Sequence, residues 1–525
     1  MGLLGGGRAL AAGHETTRGL PQASLTGKRV VVIGAGIAGL CSAYRLARAG
    51  AEVEVLEATG RIGGRSLTLR HGDSYSEWDW NSPTTVSFEK IGDVEANDPG
   101  NYFEAGPGRI PLHHARVIDY CKVLGVELEP YIFHDSANLA QNDAWNGGKP
   151  VQLRRLKNDL RGQLAEMLAK VQNQGALDQL IDPSEVDAFL GMLAQFGQLS
   201  AEGAELVYQG SATLGTVRAG YRFNAGAINN PGSPFPTLSL SEVLQSDFWT
   251  SEMFNDLEYF WQASLVQPVD GMDMIVKGFL QAGLPDGRTV NDLIVRDQPV
   301  RAIEVSGDSV TVITRDGARD AADYVIATLP TPLLAGLGGN FMNDRVRHIL
   351  SSVNVTPACK VGWQARSRFW ETENRIYGGI SWTKDIISQI WYPSNGFNSA
   401  TGVLTGAYNS SQKAQQFGAL SRAERLEVAL VGGEKLHPGF RDKVFAENGM
   451  TIAWAKMPYQ VGGWASQTAE TQPAVFADLA NADPINRKVF MAGDWFSYWP
   501  GWQLGALDSA HHATDMIHRR LAGRG

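Results

Sequence analysis

Residues 28–57 read as a β-α-β unit built around a glycine fingerprint. Val30 to Ile33 is an unbroken β-branched run, suited to a strand buried on both faces. Gly34-Ala-Gly36-Ile37-Ala38-Gly39 follows, and Leu40, Ala43, Tyr44 and Ala47 then recur at helical spacing until Gly50 stops the helix. Residues 51–57 alternate as a second strand and end on Glu57. A lone G-x-G-x-x-G says little. Set between a strand and a helix, with an acid 18 residues past Gly39 (57 − 39), it specifies a dinucleotide-binding half. The glycines let a pyrophosphate approach the free amides at the helix N-terminus, where the helix dipole is positive. Glu57 would accept from the adenosine ribose hydroxyls and disfavour a 2′-phosphate.

Around that unit the chain reads as globular. At 525 residues it has room for roughly three to four folding units. Charged residues are 19 % and hydrophobic residues 43 %, which favours a large core. A net charge of −9 argues against a nucleic-acid binder. Three cysteines, Cys41, Cys121 and Cys359, form no disulfide framework, so a reducing, cytoplasmic setting is expected. The histidines show no metal-ligand spacing and no metal is expected; His113–His114 and His511–His512 read as packing pairs. No apolar run reaches 18 residues, so no membrane span is expected. Residues 1–27 read as a mobile leader.

Residues 73–104 are polar and acidic with scattered aromatics, Tyr75, Trp78, Trp80 and Tyr102, and suggest a long surface excursion. Apolar surface left open there would favour a homodimer or higher oligomer. From about 111 to 228 the pattern turns helical, and Pro and Gly cluster at 231–236. Strands return over 290–328, residues 351–460 mix aromatic-rich strands with a helix near 421–431, and a strand ending at Asp494 precedes a closing helix from about 504 to 521.

After Glu57 the chain departs from a plain nicotinamide-binding half. Ala58-Thr-Gly-Arg61-Ile-Gly63-Gly64-Arg65 is a paired-glycine turn with two arginines, able to bring backbone and a cation to a buried pyrophosphate; a solvated glycine turn is the alternative. Taken with VVVIGAGIAGL, LEATGRIGGRS, EAGPGRIP at 104–111, DYVIATLP at 323–330 and VFMAGDW…PGW at 489–502, the chain resembles the flavin-containing amine oxidase family, its L-amino-acid oxidase branch in particular. The resemblance implies an α/β chain, α+β overall. Its Rossmann-like FAD-binding domain, of the glutathione-reductase/amine-oxidase type, would span 28–72, 271–330 and 450–525. A mixed-sheet substrate domain would span 73–110, 229–270 and 331–449, with a helical domain over 111–228. It implies noncovalent FAD against Gly34, Gly36, Ile37, Ala38, Gly39, Glu57, Ala58, Gly64 and Arg65, then Gly106, Pro107, Gly108 and Arg109, then Val300. From the closing segment it adds Gly493, Asp494, Gly501, Trp502, Gln503, Leu504 and Ala506. Asp494 departs from the Glu common in the family, though either carboxylate can accept from ribityl or ribose hydroxyls. The closing helix would aim its positive N-terminus at the flavin edge and stabilise the anionic reduced form.

For the substrate side the resemblance implies five residues. Arg109 would clamp a carboxylate with its planar fork of donors. Tyr408 would join it, Lys360 would hold a water near the flavin, the Gly501 carbonyl would accept from the amine, and Trp502 would wall the pocket. Trp454 and Trp464 are candidates for the same aromatic enclosure, and His134 is a weak candidate base. The implied reaction is oxidative deamination of an L-amino acid by O2 to a 2-oxo acid, ammonium and hydrogen peroxide, with large apolar or aromatic side chains favoured. Three alternatives remain: an amino-acid 2-monooxygenase giving an amide, which shares every motif above, a flavin amine oxidase or desaturase acting on a larger metabolite, and a binding or assembly module with structural FAD.

Overall fold

The computed structural model describes residues 16–523 apart from 204, 211–216, 251, 467–475 and 477–487. Its organising element is a five-stranded parallel sheet in the order Ile294–Val295, Glu52–Leu56, Arg29–Ile33, Tyr324–Ala327, Val489–Met491. The β-branched run Val30–Ile33 is the middle strand and is buried on both faces. On one face the fingerprint helix Ile37–Arg48 packs against the closing helix Gln503–Leu521 through Leu40, Leu46, Leu507, Ala510 and Ile517. The first and last thirds of the chain therefore share one core.

A seven-stranded mixed sheet forms the second layer: Met450–Ala453, Ala358–Gln364, Val403–Ser410, Gln389–Trp391, Ile380–Thr383, Leu139–Gln141, Val151–Gln152. Antiparallel pairing sets Lys360 directly opposite Tyr408. Alternation along Ala358–Gln364 then turns Cys359 into a separate core with Val361 and Trp363, where its Sγ contacts the Ala414 carbonyl. A further ladder joins Leu128–Ile132 to Ser264–Pro268 and is extended by a bridge between Ile110 and Val266.

Three sequence expectations need correction. The helical pattern over 111–228 holds for Ala115–Val123, Leu153–Asn173 and Val186–Gly197, but Leu128–Ile132, Leu139–Gln141 and Val151–Gln152 are strands and Ser200–Glu202 pairs with Glu205–Val207. Pro130, Pro150 and the left-handed Gly147 and Gly148 deny this stretch a continuous helix, and pairing with Ile380–Thr383 recruits Leu139–Gln141 to the large sheet. The 73–104 excursion is not a surface loop of exposed aromatics. Tyr75, Val86, Phe88 and Phe103 are buried with Ile452 and Trp454, and only Trp78 of the four expected aromatics stays largely exposed, at 68 %. The apolar surface that favoured an oligomer is thus mostly covered within the chain. Of the leader, residues 1–15 lie outside the described residues; residues 16–27 are held by Arg45 donating to the Arg18 carbonyl (2.6 Å), Arg116 donating to the Thr16 carbonyl (2.7 Å) and the buried Leu25.

Candidate active site

A cavity of about 520 Å³ runs from the fingerprint, past the paired-glycine turn, to the N-terminus of the closing helix. Gly34, Gly36, Ile37, Ala38, Glu57, Ala58, Gly64, Arg65, Gly106, Pro107 and Val300 line it, as do Gly493, Asp494, Gly501, Trp502, Gln503 and Ala506. Gly34 adopts φ +99°, and a Cβ on Gly39 would overlap the Gly34 carbonyl oxygen, so Gly39 shapes the turn without lining the cavity. Gly36 has open space where a Cβ would stand, its nearest neighbour being Gly64 Cα at 3.9 Å. Neither Gly36 nor Trp502, the residues preceding the two helices, caps its helix with a side chain. Two sets of free helix amides therefore border one cavity.

The Glu57 carboxylate is oriented from below: Oε2 accepts from the Ala35 amide (2.9 Å) and Oε1 from the Thr59 amide and hydroxyl (both 3.0 Å). Lone pairs remain for two ribose hydroxyls. Arg61 donates to the Gly64 carbonyl (2.6 Å), while its Nη1 is buried without a partner. Arg65 and Asp494 were separate candidates; the fold pairs them. Asp494 also accepts from the Gly501 amide (2.8 Å), and Arg65 donates to the Gly463 carbonyl (2.6 Å). That bidentate pair fixes the Gly501 turn, where φ is +82°. Leu504 faces the core behind the helix N-terminus.

On the substrate side Lys360, Tyr408, Trp454 and Trp464 line the cavity. Lys360 Nζ donates to the Glu104 (2.9 Å) and Gly106 (2.6 Å) carbonyls and lies 4.5 Å from the Trp391 ring centre. Burial pulls its pKa down to about 7, and burial pushes the nearby Glu104 carboxyl up to about 7. Trp454 Nε1 donates to the Ala105 carbonyl (2.9 Å), so Lys360 and Trp454 together tie loop 104–109 by three hydrogen bonds.

Arg109 stands one indole back from the cavity. Its guanidinium lies between Trp261 (4.5 Å to the ring centre) and Trp391 (4.3 Å), with Phe133 at 5.3 Å. Gly108 sits against Trp391, whose ring a Cβ would meet at 2.8 Å. The side chain is half-buried with its Nε shut off from solvent, desolvation lowers its pKa, and its polar neighbours include the Tyr131 and Tyr408 phenols. No carboxylate pairs with it among the described residues, and its Nε has no hydrogen-bond partner. His134 is not brought to the cavity; it packs against Lys157 (3.3 Å), which pairs with Asp256. Tyr131, Phe133, Trp261 and Trp391 were not identified from sequence. Nothing local marks them, because each meets Arg109 only through the ladders that join distant strands.

The family model for flavin containing amine oxidoreductases matches residues 37–518. The chain belongs to that family. It is 26 % identical to an L-amino-acid oxidase of Siganus canaliculatus over 520 residues, covering 96 % of this chain and 87 % of the relative. It is 25 % identical to the flavin-dependent L-tryptophan oxidase RebO of Lentzea aerocolonigenes over 507 residues, covering 93 % and 98 %. The fold is shared with cyclohexylamine oxidase from Brevibacterium oxydans (TM-score 0.59, 17 % identity, 94 % and 99 % covered) and with putrescine oxidase bound to putrescine (TM-score 0.56, 18 % identity, 94 % and 99 % covered). FAD is accordingly the expected cofactor of this flavin amine oxidoreductase. The residues fit it: open glycines, two uncapped helix N-termini and the oriented Glu57 suit a dinucleotide, and the unpartnered Nη1 of Arg61 suits a nearby anion. No helix among the described residues is long and apolar enough to cross a membrane, and no described cluster would hold a metal.

Proposed function

We propose that this flavin amine oxidoreductase oxidises L-amino acids to 2-oxo acids, with water and O2 consumed and ammonium and hydrogen peroxide released. Arg109 carries the reading. A half-buried cation, enclosed by aromatic rings and without a carboxylate partner among the described residues, is costly, and an anionic substrate supplies the missing charge. An amine lacking a carboxylate would leave that cost uncompensated.

In this reading Arg109 and Tyr408 bind the carboxylate, and Trp261, stacked on Phe133 and tilted against Trp502, yields to admit it. The Gly501 carbonyl accepts from the amine and orients it, and in the neutral form the nitrogen lone pair assists departure of the Cα hydrogen. FAD, when bound, supplies the two-electron acceptor for that hydrogen as hydride and passes the electrons to O2. Lys360, with a pKa near 7 and anchored on loop 104–109, holds a proton or a water at the cavity wall. Trp454, Trp464 and Trp502 give that wall an aromatic character that favours large apolar side chains.

A peroxide-coupled screen of L-amino acids, their D-forms and simple amines tests the reading, with product analysis for keto acid against amide. L-amino acids converted to keto acid support it. Turnover of amines with no L-amino acid oxidised would overturn it, and an amide product would place the enzyme among the monooxygenases.

A further inference from the structure

The guanidinium of Arg109 is faced by two phenols. Tyr131 lies on Leu128–Ile132, opposite Leu265 of Ser264–Pro268. Ile110 exchanges both backbone hydrogen bonds with Val266 on that same strand, at 2.7 and 3.1 Å. Arg109, next to Ile110, is thereby brought alongside Tyr131 by backbone pairing. The Tyr131 ring is 5 % exposed and packs with Phe133 and Trp391. Its hydroxyl faces the guanidinium. Both the hydroxyl and Arg109 Nε are shut off from solvent; the hydroxyl has the Arg109 guanidinium as its polar contact, and neither atom meets a well-aligned hydrogen-bond partner among the described residues. Unpartnered buried donors are rare in folded proteins and call for a partner.

We propose that the Tyr131 hydroxyl is a substrate-binding group, a third member of the carboxylate clamp beside Arg109 and Tyr408, selecting amines that carry a carboxylate. It rests on the amino-acid reading above. Donor arithmetic supports it: a carboxylate offers about four acceptor sites. The planar fork of Arg109 fills two, and the two phenols fill one each. Burial pushes the Tyr131 pKa above the ordinary phenol value, so the hydroxyl keeps its proton and can donate it. The competing occupant is water. A small cavity of about 50 Å³, lined by Tyr131, Glu104, Gln267 and Thr405, has room for one beside the same hydroxyl.

The experiment titrates FAD-loaded protein with benzoate, and with benzamide as its neutral isostere, following the flavin absorbance. Tyr131→Phe removes only a hydroxyl whose polar contact in the fold is the Arg109 guanidinium, so thermal stability and FAD content should stay near wild-type values. Benzoate binding should weaken about 5- to 30-fold while benzamide stays within twofold. For whichever L-amino acid the screen selects, KM should rise with kcat little changed. Benzoate affinity within twofold of wild type would overturn the proposal and assign the hydroxyl to water. Equal weakening of both probes would overturn it in favour of a packing role. Arg109→Ala separates the two levels. If it abolishes benzoate selectivity and Tyr131→Phe does not, only the role of Tyr131 falls. If neither variant matters, or wild type ignores benzoate, the amino-acid reading falls with it.

Discussion

Arg109 concentrates the chemistry into one side chain. A lysine ammonium in the same place would keep the charge and lose the planar fork. Arg109→Lys should therefore fail to rescue, with kcat/KM down about a hundredfold, equivalent to roughly 3 kcal/mol. FAD content should be unchanged, because Arg109 does not line the cofactor cavity. Steady-state kinetics checks this; a lysine variant within threefold of wild type would remove the clamp. Lys360 gives a second prediction, in pH. Its folded pKa is depressed to about 7 from 10.5 by burial. Below pH 7 the ammonium is present in both folded and unfolded states, and its burial penalty is constant. Between pH 7 and 10.5 the unfolded chain binds the proton and the folded one does not, so stability rises with pH across that window. Glu104 acts oppositely below it: with its pKa raised to about 7, stability falls as pH rises from 4.5 to 7. Difference curves of melting temperature against pH should show Lys360→Met removing the upper slope and Glu104→Gln the lower one. Parallel curves would show that these groups keep ordinary pKa values.

At the scale of elements, the 73–104 excursion is held by a pair its own sequence does not announce. Arg425, on helix Arg422–Leu436, donates to both Glu77 oxygens at 2.6 and 2.7 Å, and both side chains are fully buried. Glu77 also accepts from the Ala453 amide at 2.7 Å. Removing one partner leaves a buried charge bare, so Glu77→Ala should cost about 3–5 kcal/mol in denaturant unfolding. Adding Arg425→Met should cost less than the two single losses combined. Strict additivity would mean the charges act independently. The same ladders explain what sequence could and could not show. The fingerprint, its helix and Glu57 were legible because their signals lie within 30 residues of each other. Lys360 and Tyr408 stand out through motif, and the antiparallel register sets them opposite each other. Polar residues dominate the composition of the excursion, while its burial is decided by a few apolar ones, Tyr75, Val86, Phe88 and Phe103. Tyr131 and Trp261 stayed hidden because contacts across 22 and 152 residues to Arg109 leave no local pattern.

The whole molecule is a closed circuit. One sheet takes strands beginning at residues 29, 52, 294, 324 and 489, and one cavity is walled from Ile33 to Ala506. Bound FAD would touch segments that otherwise meet through the core and a few polar bonds such as Arg65–Asp494. Ligand that binds only the folded state stabilises it by mass action, about 4 kcal/mol at a thousand times Kd. Removing FAD should therefore lower the melting temperature by several degrees, and adding it back should restore the loss in a concentration-dependent way. That reversibility requires a noncovalent cofactor. Cys41, Cys121 and Cys359 are buried, none lines the cavity, and burial pushes each thiol pKa up, to about 11 or 12, away from the reactive thiolate. Acid precipitation should leave the flavin in the supernatant. Yellow colour that stays with the pelleted polypeptide would show a covalent bond, and an apoprotein that melts at the temperature of the loaded protein would show that the cofactor does not join these segments.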